Sequence, residues 1–140
     1  MGEPMDVEFG NAGDLFTNES GWFVGFSEWT RTGAADRTEL RFMPKEQTLR
    51  MLSVKWMFHP AGDDRGATKP PSEGRTLSIL VSDQGSFRIH FSERHDFPAE
   101  RTSGFRLERH GDFVVWGAGV HHRWFVDSNC TILTVRWIPE

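Results

Sequence analysis

The chain has 140 residues, the size of one ordinary domain with one hydrophobic core. Apolar residues make up 37% of it, with 12 Phe and 6 Trp but no Tyr, which excludes a disordered chain and calls for a core built from large rings. Charges of both signs are interspersed to a net −4 without a basic stripe, so nucleic acid is not an expected partner.

Residues 1–19 are expected to form a weakly structured N-terminal arm, or one edge strand, ahead of a barrel domain over 20–140. The opening MGEPMDVEFG lacks the basic-then-apolar pattern of a signal peptide, and no stretch approaches the roughly 20 apolar residues of a membrane span. A lone Cys130 cannot form an intrachain disulfide, which suits a reducing cytoplasm. The glycosylation-like tripeptides at Asn18 and Asn129 are therefore read as chance.

Gly21–Phe26 (GWFVGF) and Thr38–Met43 (TELRFM) read as the first strands, Lys45–Leu52 as at most one helical turn, and Val54–His59 (VKWMFH) as the next strand. Pro60–Gly74 has no periodic apolar set and is the longest loop; its Asp63, Asp64, Arg65, Lys69 and Glu73 read as a solvated charge cluster or, alternatively, a lid. Thr76–Val81 (TLSILV) and Ser86–Phe91 (SFRIHF), separated by Ser82–Gly85, read as a hairpin. In its second strand Phe87, Ile89 and Phe91 share the core face, and Arg88 with His90 the solvated one. Phe105–Leu107, Asp112–Trp116, His122–Val126 and Thr131–Trp137 complete the series. The pattern predicts an all-β fold, an antiparallel jelly-roll β-barrel with little helix.

From Gly111 the sequence GDFVVWGAGVHHRW resembles the second conserved motif of the cupin superfamily, with Gly111, Gly119 and His122 in register. Gly117 stands where the family has Pro, and Val126 where it often has Asn. The resemblance implies that His122 points into the barrel and His121 away from it. Anchoring the Gly of the first cupin motif on Gly85 puts the family's other metal ligands at Ser72, Gly74 and Ser78. None of these replaces an imidazole or carboxylate, so the expectation is no metal and no other cofactor. From Val54 to Trp137 the chain also resembles small bacterial cupin-like proteins of unsettled function, through Trp56, His59 and Gly62, the strand Thr76–Leu80 and the terminal Thr134–Trp137. Cupins often pair through edge strands, which implies a homodimer.

The expected function is a binding barrel for a small polar molecule, with His122, His59, Trp56 and Trp124 as candidate contacts. For Trp56, Trp116, Trp124 and Trp137 the competing role is core packing, expected for at least two of them. The alternative function is a divalent-metal cupin enzyme, an oxygenase or isomerase, with a rearranged set of His59, His90 and His122, or with His122 as general base. No Gly-rich phosphate cradle, GxSxG elbow, CxxC pair or HExxH helix occurs, and Cys130 reads as an inert thiol.

Overall fold

The computed structural model describes residues 6–15, 17, 19–25, 40–43, 46–65 and 70–140, the side chain of residue 65 excepted. Among them are nine strands in two antiparallel sheets and no α-helix, and no helix long and apolar enough to cross a membrane. The five-stranded sheet has the order β1 (Val7–Asn11), β7 (Asp112–Trp116), β4 (Arg75–Leu80), β9 (Cys130–Pro139) and β2 (Leu49–His59). The four-stranded sheet runs β3 (Asp64–Arg65), β8 (His121–Ser128), β5 (Ser86–Ser92) and β6 (Thr102–Leu107). The chain is thus mostly β with little helix, as its short apolar runs predict.

Side-chain alternation sorts each strand between the layers. β5 sends Phe87, Ile89 and Phe91 into the core between the sheets and leaves Arg88 outside, where its Nε is 2.7 Å from Asp127. β8 turns Trp124 and Val126 inward in the same way. β7 is buried along its whole length because the five-stranded sheet has a second core on its far side. There Leu77, Phe113, Val115 and Trp137 pack with Met43, Leu15, Phe23 and Leu40. Leu15, Phe23, Leu40 and Met43 thus cover that face, and β1 is an edge strand of the sheet. Asn11 secures that edge by donating to Asp112 at 2.9 Å and to the His110 carbonyl at 3.0 Å.

Three expectations are corrected. Of the strands read at 21–26 and 38–43, the described residues 21–25 and 40–43 make only a parallel bridge between Gly25 and Phe42, while Phe26 and residues 38–39 lie outside the described set. Buried Arg41, bound to Glu8 at 2.9 Å and to the Phe23 carbonyl, ties this pair of segments to the sheet. Leu49–Leu52 belong to β2 and not to a helical turn.

The third concerns the hairpin. β4 and β5 do not pair: β4 lies between β7 and β9, and β5 between β6 and β8, so both edges of each strand are already filled. Ser82–Gly85 carries the chain from one sheet to the other. A Cβ at Gly85 would overlap that of Cys130, so the glycine is required by close approach and not by a hairpin turn.

Leu80 and Phe113 are fully buried on opposite faces of the five-stranded sheet. Leu80→Ala and Phe113→Ala are each expected to cost about 2–5 kcal/mol in chemical denaturation, through lost transfer energy and the cavity left behind. Unchanged melting for both variants would show that these two cores do not carry the fold.

Candidate functional site

The two sheets enclose a cavity of about 330 Å³ with walls of opposite character. The wall from the five-stranded sheet carries a polar strip beside Met51, Trp116, Ile132 and Ile138. On it β9 sets Thr134 between Ser78 of β4 and Lys55 of β2, with Arg136 beside Thr76 on the same face. Arg136 Nε donates to Thr76 Oγ1 at 2.8 Å, and the hydroxyls of Ser78 and Thr134 share a hydrogen bond of 2.8 Å.

The facing wall is aromatic. Trp124 lies at its centre, stacked on His122 with ring centroids 6.0 Å apart and planes 20° apart, and edge-on to His59 at 5.6 Å. His122 also packs on Trp116 at 5.1 Å, and Phe87 stacks on Trp124 at 5.8 Å. Lys55 reaches over from the polar side, its Nζ 5.8 Å from the Trp124 ring centroid, within the range of a cation–π contact.

The ends of the cavity differ as well. At the deep end His59 is only 2% exposed, and its Nδ1 lies 2.7 Å from Asp63 Oδ2. At the open end Pro70, Pro71 and Glu73 are exposed, and Arg50 pairs with Glu73 at 3.3 Å. Between them Ser72 is buried: its hydroxyl accepts the Trp116 indole N–H at 2.8 Å. Its backbone N–H donates to Val120, and its carbonyl accepts from Gly119, at 3.1 and 2.8 Å. These bonds clamp the loop onto the turn that feeds His122 into β8.

Of the four expected contacts, the structure brings His122, His59 and Trp124 to one cavity and sends Trp56 elsewhere. Trp56 is 67% exposed on the outer face of β2. The pleat explains the correction, because Trp56 and His59 are an odd number of residues apart on one strand and must face opposite ways. Trp116, Trp124 and Trp137 are buried.

The rearranged triad does not converge either. His90 lies on the outer face of its sheet, where Arg123 Nε donates to its Nδ1 at 3.3 Å and its ring packs on Phe125. Burial, followed by the neighbouring Arg123 and Arg88, holds its imidazole below the ordinary range. His121 is half-buried on the outward side, next to His95. Asp63, expected in a solvated cluster, is instead the partner of His59, its side chain 13% exposed.

The residues at the family's ligand positions do not fit a divalent metal. Ser72 and Ser78 line the cavity with His122, but their hydroxyls bond Trp116 and Thr134. Gly74 stands at φ 64° with the Trp137 carbonyl in the space a Cβ would need. Among the described residues no group of three or more His, Cys, Asp or Glu side chains could hold a metal ion. Sequence reading missed Arg136, Thr134 and Lys55; the signal was present in TVRW, where Thr134 and Arg136 alternate with Val135 and Trp137.

Two facing antiparallel sheets, with the turn after β7 returning His122 to the interior, reproduce the arrangement implied by the Gly111–His122 motif. The fold is cupin-like. No protein-family model matches the chain, and no curated protein matches it. Among solved structures it is similar to RmlC from Streptococcus suis in complex with dTDP-D-xylose, at 16% identity and a TM-score of 0.46 over 60% of this chain and 42% of that one. It is also similar to the WlaRB TDP-quinovose 3,4-ketoisomerase from Campylobacter jejuni, at 16% identity and a TM-score of 0.45 over 63% of this chain and 69% of that one. A third is the dTDP-4-dehydrorhamnose 3,5-epimerase from Bacillus anthracis, at 19% identity and a TM-score of 0.44 over 67% of this chain and 55% of that one. The chain thus spans less than half of the RmlC chain and just over half of the epimerase.

Ser72→Ala removes the acceptor of the buried Trp116 indole. Leaving that donor unsatisfied is expected to cost about 1–3 kcal/mol, read as a lower melting temperature together with a shift in tryptophan emission. An emission spectrum and melting temperature identical to the parent would disprove the clamp.

Proposed function

We propose that the chain is a metal-free binding barrel that takes a small polar, ring-bearing molecule between its two sheets. The observation that carries this reading is the pairing of a wall of bonded hydroxyls with a wall of rings in one cavity. A flat molecule with polar substituents on its edge satisfies both walls at once: its face stacks on Trp124 and His122 while its edge meets Ser78, Thr134 and Thr76. The volume suits a molecule the size of a monosaccharide or a substituted benzene. With His90 facing outward, the metalloenzyme alternative has a weaker basis than this one.

NMR titration with glucose, rhamnose, benzoate and salicylate tests the reading. At least one probe is expected to shift the Trp116 and Trp124 indole N–H signals at about 10 mM or below, and Trp124→Ala is expected to weaken that probe by about tenfold or more, the loss of a desolvated stacking contact. Shifts confined to the outer face of the barrel would overturn it.

We infer further that the protein is a homodimer paired through β2, in keeping with a cytoplasmic protein whose lone cysteine has no intrachain partner. Among the described residues β2 is an edge of its sheet, and Leu52, Val54, Trp56 and Phe58 are all more than half exposed along one side of it. An antiparallel second copy centred on Val54 sets Leu52 against Trp56 and Lys55 against Ser53, so apolar meets apolar and no like charges are opposed. Sedimentation analysis is expected to give twice the chain mass, falling to the monomer in Trp56→Lys; a parent protein that sediments as a monomer at micromolar concentration overturns the pairing.

A further inference from the structure

We infer that the molecule bound in this cavity is an anion, a small ring-bearing carboxylic acid whose carboxylate is received by Arg136 with Lys55 beside it. The inference rests on the binding reading above and narrows its ligand class.

Charge balance is the first argument. Among the described residues that line the cavity, the permanent cations are Arg50, Lys55 and Arg136 and the carboxylate is Glu73. Glu73 stands at the exposed rim, 73% of its side chain accessible, and is engaged by Arg50. Asp63 is directed to His59 and does not line the cavity. Among the described residues Arg136 faces no carboxylate, so its guanidinium is a positive charge that an acidic ligand would balance.

Orientation is the second. The bond from Arg136 Nε to Thr76, a residue with no exposed surface, fixes the guanidinium plane by one edge and leaves its terminal nitrogens for a ligand. A fixed planar fork matches a carboxylate through two parallel hydrogen bonds. Arg136 and Lys55 are diagonal neighbours on β9 and β2, on the face that also presents Thr134. Lys55 in turn reaches the Trp124 ring, so the cationic corner adjoins the stacking wall and an acid group attached to a ring spans both. Among the described residues no helix N-terminus lies in the lining to serve a phosphate, and one fork with one ammonium suits a monoanion better than a dianion.

Isothermal titration of the full chain with benzoate, with its neutral isostere benzamide, and with inorganic phosphate decides the matter. Benzoate is expected to bind at least tenfold more tightly than benzamide and to weaken as salt is raised. Arg136→Lys, which keeps the charge but loses the fork, is expected to weaken benzoate severalfold, and Lys55→Gln, at an exposed position where folding is not at risk, severalfold as well, with benzamide unchanged in both. Benzamide binding as tightly as benzoate, or benzoate indifferent to both substitutions, overturns the anionic ligand while leaving the binding barrel intact. Phosphate displacing benzoate at equal concentration overturns the choice of a carboxylate. If neither ring compound binds, the carboxylic acid is overturned, and the binding barrel falls with it only if glucose and rhamnose also leave the Trp116 and Trp124 signals unmoved.

Discussion

Where Gly85 passes over Cys130, the chain leaves one sheet and enters the other, and the rest of the architecture follows from that crossing. The link is held against the start of β9: the Val81 N–H donates to the Thr131 carbonyl at 3.0 Å, and the Thr131 N–H donates to Ser82 Oγ at 3.1 Å. Because the crossing fixes β4 in one layer and β5 in the other, each can take two neighbours of its own, and the space between them becomes a cavity. Cys130, sealed under this contact, has its thiol pushed up to about 11, chiefly by burial and then by Asp63. It is therefore protonated and unreactive at neutral pH.

A polar cavity wall ordinarily weakens a fold, since unbonded hydroxyls in a dry interior cost more than they return. Here Thr76, Ser78 and Ser72 are all buried, and each has a partner on another strand or loop. The wall is thus held in shape by the same bonds that make it polar. The aromatic wall is rigid for a different reason: Trp124 is bounded by His59, His122 and Phe87, and cannot rotate without displacing all three. A site whose two sides are both fixed in advance costs little ordering on binding.

Much of this was legible in the residues, because period-2 alternation carries real information. Phe87, Ile89 and Phe91 point inward and Arg88 and His90 outward as the pattern requires, and His122 with Trp124 share a face because they are two apart. The same rule, applied to β2, would have separated Trp56 from His59. Hydrophobicity misled there, since the apolar side of β2 faces out and its Lys55 side faces in. Strand partners were the illegible part. Ser82–Gly85 has hairpin chemistry, and only the packing of Gly85 on Cys130, forty-five residues later in the chain, distinguishes a crossing from a turn. The covering of the outer face by Leu15, Phe23 and Leu40 was hidden for a similar reason, being set by contact with strands far along the chain.

The place of β9 carries a consequence for synthesis. Its ten residues lie between β4 and β2, and among the described residues β9 is the strand that β2 pairs with. On the ribosome, β2 emerges with Leu52, Val54, Trp56 and Phe58 in line well before residues 130–139, the strand it pairs with. Closing contacts of such long range is slow, and the waiting strand is the kind of apolar edge that chaperones capture. Nascent chains of this protein are therefore most exposed to misassociation before residues 130–139 are released.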